Sequence, residues 1–294
     1  MQIGVGLPIR EPHIDGEFLT DWARRADGGP FSSLAVTDRV VFYAKEPLIA
    51  LAIAAGVTRR VRLMTTAIVV PTLETTLLAR QAASIDALSN GRLTLGIGVA
   101  VREEDYVATG YDFHRRGKRL DEQLPILRRI WAGEPADPDK KIGPIGPVPV
   151  RKGGPELLIG GYLPAAVIRR TVAWGDGFLA PDGMAPDQAQ VLYGQVRDAW
   201  ITAGRAGKPR FVTGGYYALG PNADAQADEY TEVNYGFKPE LAARMRKGIV
   251  TSPAALKELL ARRADAGVDE YILRPCTEQL DSVNALEDVL GAIR

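Results

Sequence analysis

Apolar positions in this chain fall in short β-branched runs that alternate with longer stretches of helical period. The clearest case lies between Val61 and Gly98. Residues 61–70 are dense in β-branched side chains and carry charge only at Arg62, the pattern of a strand buried on both faces of a parallel sheet. Pro71 cannot donate to a ladder and ends the run. Leu78, Ala82, Ile85 and Leu88 then recur at helical spacing, which predicts a helix over 75–88 with one apolar stripe. Asn90-Gly91 stops it, Gly91 being suited to the left-handed position after a helix. Residues 92–98 predict a second buried strand. Strand, helix and strand in this order make a right-handed βαβ crossover.

The same alternation runs along the whole chain. Further strands are expected at 2–7, 31–36, 157–159, 177–180, 211–219 and 270–273. Helices are expected at 17–26, 47–56, 116–131, 164–174, 188–203, 253–266 and 280–293. Pro47 takes a tolerated first-turn position, and Ser252-Pro253 is a cap-plus-first-turn signal. Pro125 falls inside a helical stretch and is expected to kink it. Three stretches break the rhythm. Residues 102–114 read as a polar loop with a short helical piece. Residues 132–155 are Pro- and Gly-rich with no helical period, an ordered excursion. Residues 221–247 are polar with scattered apolar positions, and fit a mobile helical lid over the mouth of the fold.

Eight strand-then-helix units predict an α/β protein, a (β/α)₈ TIM barrel. Residues 1–294 would form one domain, with short insertions after strands 4 and 7. The active site would lie at the C-terminal ends of the strands. A doubly wound open sheet is the alternative, and it would carry a dinucleotide glycine fingerprint in its first βα turn. That turn is Leu7-Pro-Ile-Arg-Glu-Pro12, which has no such glycines.

Composition narrows the function classes. With 294 residues, 46% hydrophobic and 24% charged, the chain can bury a large core. Lys plus Arg equals Asp plus Glu, 36 against 36, so no global basic field attracts nucleic acid. No apolar run is long enough to span a bilayer, and the opening Met1-Gln-Ile-Gly does not read as a signal peptide. A single cysteine, Cys276, excludes an internal disulfide framework, and with two histidines it argues against a His/Cys zinc site or a metal-dependent hydrolase. These features point to a cytoplasmic enzyme acting on a small molecule.

Three blocks carry a family resemblance. They are residues 77–98, residues 113–122, and Leu158-Ile-Gly-Gly161 followed by Ala166, Arg169 and Gly175-Asp-Gly177. Together they resemble the luciferase-like flavin or deazaflavin oxidoreductases, in that family's order, from Ile3 to about Ala180. The resemblance implies a (β/α)₈ barrel, in agreement with the strand count. It also implies FMN or coenzyme F420 (8-hydroxy-5-deazaflavin) across the barrel mouth. The redox chemistry would be hydride transfer to a small organic substrate, or its monooxygenation. Between the cofactors, chain length and a high-GC composition favour the deazaflavin. Homodimers through outer helices are common in that family. A barrel that binds the cofactor without turnover is the alternative.

The resemblance also names residues. The cofactor phosphate would rest near Gly160 and Gly161, with Tyr162 and Leu163 beside it. Two glycines straight after a strand independently allow close approach of an anion to backbone, and the next helix offers free N–H groups. A tight turn is the competing reading of the same pair. Thr66, Ala67 and Ile68 match the place where deazaflavin members carry a bulge with a non-prolyl cis peptide against the ring; an ordinary buried strand is the alternative. Gly98, Val99 and Arg102 fall in the stretch matching the ring-edge contacts. Asp38 matches an acidic residue that many deazaflavin members follow with histidine, but here Arg39 follows. The candidates for proton transfer are therefore Asp38, His13, His114 or a tyrosine. Asp38 could equally pair with Arg39 or with the next helix N-terminus. Arg116, Arg119 and Glu122 are expected to form an ion-pair cluster. Cys276 is expected to pack, and of Tyr216 and Tyr217 only one can face a pocket.

Overall fold

The computed structural model describes residues 1–294 except 11–13, 136, 138, 140–142, 183, 278 and 294. Eight parallel strands close into a barrel in sequence order. They are β1 (Gln2–Gly6), β2 (Ser33–Val36), β3 (Arg62–Val69), β4 (Leu93–Gly98), β5 (Glu156–Gly160), β6 (Gly177–Leu179), β7 (Arg210–Tyr217) and β8 (Glu270–Pro275). β8 pairs back onto β1, with Gln2 opposite Glu270 and Val5 opposite Leu273. The principal helices between them are α1 (Gly16–Gly28), α2 (Pro47–Val57), α3 (Thr75–Leu88), α5 (Arg116–Trp131), α6 (Pro164–Trp174), α7 (Pro186–Thr202), α10 (Pro253–Asp265) and α11 (Leu280–Ile293). A short α4 (Glu103–Thr109) precedes α5, and α8 (Ala223–Tyr235) and α9 (Pro239–Gly248) follow β7. The open-sheet alternative is thereby excluded.

Side-chain alternation divides each strand between two environments. Leu63, Leu95, Ile97, Leu157, Ile159, Phe211 and Leu273 pack outward in the large cluster shared with the helices. Ala35, Met64, Leu158, Leu179, Val212 and Ile272 form a separate cluster inside the barrel. Two positions earlier on several strands, the inward face is charged. Arg210 bridges Glu156 and Glu270, and Arg62 reaches Glu156 at 3.2 Å and Thr94 Oγ1 at 2.6 Å. Glu270 is fully buried and also accepts from the Ser32 and Ser33 hydroxyls. Two guanidiniums against two carboxylates leave this floor neutral.

Several expectations hold in detail. Ser252 accepts from Ala255 N at 3.3 Å, with Pro253 in the first turn of α10. Gly91 has a φ of 78°. Some do not. Leu88 is 74% exposed, because the buried stripe of α3 passes from Ile85 to Ser89 instead. α5 runs unbroken through Pro125. The expected ion-pair cluster on α5 is absent: Arg116 donates to Phe113 O at 2.7 Å, and Arg119 to Pro71 O at 2.9 Å, while Glu122 approaches only Lys118. The two arginines serve backbone carbonyls at turns, which offer fixed acceptors beside the helix. The excursion after α5 has no described helix or strand, and is pinned where Val150 N donates to Asp86 at 2.8 Å. Among the described residues no helix is long and apolar enough to cross a membrane.

Glu270→Ala removes the common acceptor of Arg210 and two serines at a dry site. It should destabilise the fold by about 3–5 kcal/mol, read from the urea unfolding midpoint.

Candidate functional site

Above the inner apolar cluster, at the C-terminal ends of the strands, the barrel opens into a cleft of two adjoining lobes. Their volumes are about 520 and about 480 Å³, and they share Asp38, Arg39, Thr66, Ala67, Val101, Arg102, Tyr162 and Asp182. The larger lobe lies under the lid formed by the end of α8 and by α9, which contribute Tyr235, Phe237, Leu241 and Met245. Arg10 holds that lid, donating to Tyr230 Oη at 2.7 Å and Asn234 Oδ1 at 3.0 Å. Residues 221–247 therefore do cover the mouth, as two helices with their own buried cluster around Tyr216, Ala227 and Tyr230.

The smaller lobe gathers Thr66, Ala67, Ile68, Gly98, Val99, Arg102, Gly160, Gly161, Tyr162 and Leu163, which are distant in sequence. The Thr66–Ala67 peptide is cis, and the β3–β4 register shifts between Thr65 and Ile68. Gly96 is required at this bulge, since a β-carbon there would overlap Thr65 O. At Gly160 a β-carbon would sit 3.0 Å from Ile97 O, a tight contact that a larger residue would make at the floor of the lobe. α6 begins directly behind it. Its N-terminus has no side-chain cap and no acidic residue in the first turn, which leaves amide donors and the positive dipole end directed at the lobe. Arg116 adds a guanidinium whose Nε is buried with no partner.

Asp38 lies where the two lobes meet. It pairs with neither Arg39 nor the α2 N-terminus: its Oδ2 accepts from Val69 N at 2.8 Å, and Glu46 caps α2 through Ile49 N. Both expected partners are already engaged, Arg39 by Glu104 and the helix end by Glu46. Burial raises the Asp38 pKa to about 6; the Val69 N–H opposes this, and the Glu46 and Asp105 carboxylates add to it. His114 is exposed on a 3₁₀ turn, edge-on to Phe113 at 5.6 Å, and is not in the lining of either lobe. The turn aims it outward, so it is not joined to Asp38. His13 lies outside the described residues.

The cleft residues Arg274 and Asp182 went unread in the sequence. Arg274, only 5% exposed, donates from Nη2 to Thr66 Oγ1 at 2.7 Å and from Nη1 to Asp182 Oδ1 at 2.9 Å. It joins β8, β3 and the segment after β6 beneath both lobes. The available signal was an arginine closing an apolar strand, two positions after the inward-facing Ile272. Tyr216 lines the larger lobe and stands 3.5 Å from Asp182, while Tyr217 turns away to Ser282 O, so the adjacent tyrosines do face opposite sides. Cys276 packs against the lid cluster, and burial pushes its thiol up to about 12.

A family model described as luciferase-like monooxygenase matches residues 1–278. An uncharacterised protein of Mycobacterium tuberculosis is 27% identical over 225 residues, 66% of this chain and 75% of that one. The monooxygenase RslO1 from Streptomyces bottropensis superposes with a TM-score of 0.79 at 22% identity, over 99% of each chain. An F420-dependent secondary alcohol dehydrogenase, solved with an F420-acetone adduct, gives 0.79 at 16% identity, over 100% of this chain and 99% of that one. At such identities the structural likenesses show the fold alone.

Folding raises the Asp38 pKa from 3.8 to about 6, so the folded chain binds the extra proton. The stabilising contribution is complete below the unfolded value and is lost as pH rises through about 6. Relative to wild type, Asp38→Asn should therefore gain stability as pH rises across this window and then level off. Urea midpoints of both proteins from acid to neutral pH check this.

Proposed function

The chain belongs to the luciferase-like monooxygenase family, and from that premise we propose that it is an oxidoreductase holding coenzyme F420 or FMN in the smaller lobe and a small organic substrate beneath the lid. The whole chain would form one domain around this site. The observation that carries the reading is the convergence of the β3 bulge at Thr66 and Ala67, Gly98 and the Gly160-Gly161 corner on a single lobe of suitable volume.

The residues present fit such a group. Gly160 and Gly161, the uncapped start of α6 and the unpartnered Nε of Arg116 supply backbone and guanidinium donors to a phosphate. Ala67, Ile68, Val99 and Leu179 give the planar ring an apolar shelf. When bound, the cofactor supplies hydride transfer or oxygen activation. The chain's own part is positioning. Thr66 is fixed by Arg274, so the ring wall cannot drift toward β8. The lid excludes water from the larger lobe. Asp38 keeps Oδ2 on Val69 N and has Oδ1 to hold or give a proton at the junction, with a pKa suited to acid–base work near neutrality. It would take the part that histidine has in the members this chain otherwise resembles.

Titrating the protein with F420 and with FMN separately, by fluorescence, should show saturable binding of one of them. Gly160→Val should weaken that binding by about tenfold or more, roughly 1.4 kcal/mol, by filling the cradle against Ile97 O. Binding of neither cofactor would reject the proposal. Tight binding with no redox exchange across a substrate panel would support the non-catalytic barrel instead.

A further inference from the structure

Among the described residues, cationic and acidic side chains stand together in the lining of the lobe beneath the lid. Arg10, Arg39, Arg102 and Lys238 line it, against Asp38 and Asp182. Asp182 is already engaged by Arg274 from below. Arg39 and Arg102 come from different strand ends, after β2 and after β4, yet both reach the same atom. Their distances to Glu104 Oε1 are 3.2 and 3.4 Å. Glu104 and the Val41 carbonyl, which Arg39 Nη2 also meets at 3.2 Å, still leave most of the pair's roughly ten N–H donors to find other acceptors, since each guanidinium carries about five. Burial and then the Arg102 charge pull Arg39 below its ordinary pKa, against the opposing pull of Asp105 and Glu104. Arg39 Nε is buried with no acceptor at all.

Both guanidiniums are held in fixed planes. Arg39 lies over the Phe42 ring and Arg102 over the Phe237 ring, each at 4.4 Å. Phe42, from the segment after β2, and Phe237, from the lid, thus each back one of two neighbouring guanidiniums. A pre-oriented, incompletely matched guanidinium pair at the edge of an apolar space is equipped for a planar anion. Ile9, Tyr235 and Met245 give the lobe an apolar part, beside the polar Thr37, Thr66 and Asn234.

We propose that this lobe takes a substrate with an apolar, ring-sized body and one carboxylate end, the carboxylate docking on Arg39 and Arg102 and the body lying against Tyr235 and Met245. This rests on the reading of the smaller lobe as the cofactor's, because only then is the lid-side lobe left to a substrate. An anionic arm of the cofactor itself is the other source of the same chemistry, and the test separates the two.

Isosteric pairs serve as probes: cinnamate with cinnamamide, and octanoate with octanamide, followed by calorimetry on protein with and without saturating cofactor. The carboxylates should bind at least about tenfold tighter than their amides at low ionic strength. That advantage should shrink in about 0.5 M salt. Arg102→Gln and Arg39→Gln should erase the preference while leaving amide affinity within about twofold. Absence of a carboxylate preference in wild type, including absence of binding, overturns the proposal. So does a variant that keeps the preference but loses about tenfold in cofactor affinity, which would assign the pair to the cofactor. Failure of both cofactors to bind is read separately, since the probe pairs are also titrated into the cofactor-free protein.

Discussion

Arg210 spans two carboxylates at the closed end of the barrel, and the rest of the architecture leans on that contact. Glu270 is fully buried, and an unpaired charge at such a place would cost several kcal/mol. It is tolerable because Arg210 and the hydroxyls of Ser32 and Ser33 converge on it. Through Glu156 the same guanidinium reaches β5, and Arg62 with Thr94 extends the network to β3 and β4. Strands that pair only with their immediate neighbours are thereby tied across the barrel. The register of every inward-facing residue above is set from this level, because side chains alternate with a period of two.

Counting upward from that floor gives the placement of the site. Arg62, Thr94, Glu156, Arg210 and Glu270 occupy the lowest inward level. Met64, Leu158, Val212 and Ile272, two residues on, form a dry plug. Two further on come Thr66, Gly98, Gly160 and Arg274, all bordering the smaller lobe. A charged base, an apolar middle and a polar, open top keep the chemistry near solvent and the scaffold away from it. Arg274 carries a guanidinium up to the underside of the cleft, where Asp182 pairs with it.

The alternation of strand and helix was legible because parallel strands buried on both faces read as β-branched runs. The resemblance blocks were legible for a related reason: many of their residues hold the scaffold. Arg92 donates to Thr58 Oγ1 and Val61 O, Asp176 accepts from Leu157 N and pairs with Arg128, and Arg169 and Arg170 both grip Asp121. Such bonds tie neighbouring elements together, so fixed residue types recur at fixed spacing. The gathering of Thr66, Gly98 and Gly160 followed from strand order. Arg274 did not, since one arginine at the end of a strand carries no local period. The Arg39–Glu104–Arg102 arrangement was equally hidden, because it depends on how two loops cross. His114 could be read from its position as lining the mouth or as a surface histidine, and its 3₁₀ turn leaves it exposed.

Gly6 and Gly214 stand beside Arg274, where β-carbons would come within 3.2 Å of its Cγ and 2.7 Å of its Nη1. Gly98 and Gly160 border the lobe itself. The hollow in this barrel is thus shaped by omission: four rim positions lack a side chain, two beside an arginine and two facing the smaller lobe. Exchanging small residues at the rim would remould the vessel while its base stayed unchanged, a route to new ligands that requires no rebuilding of loops.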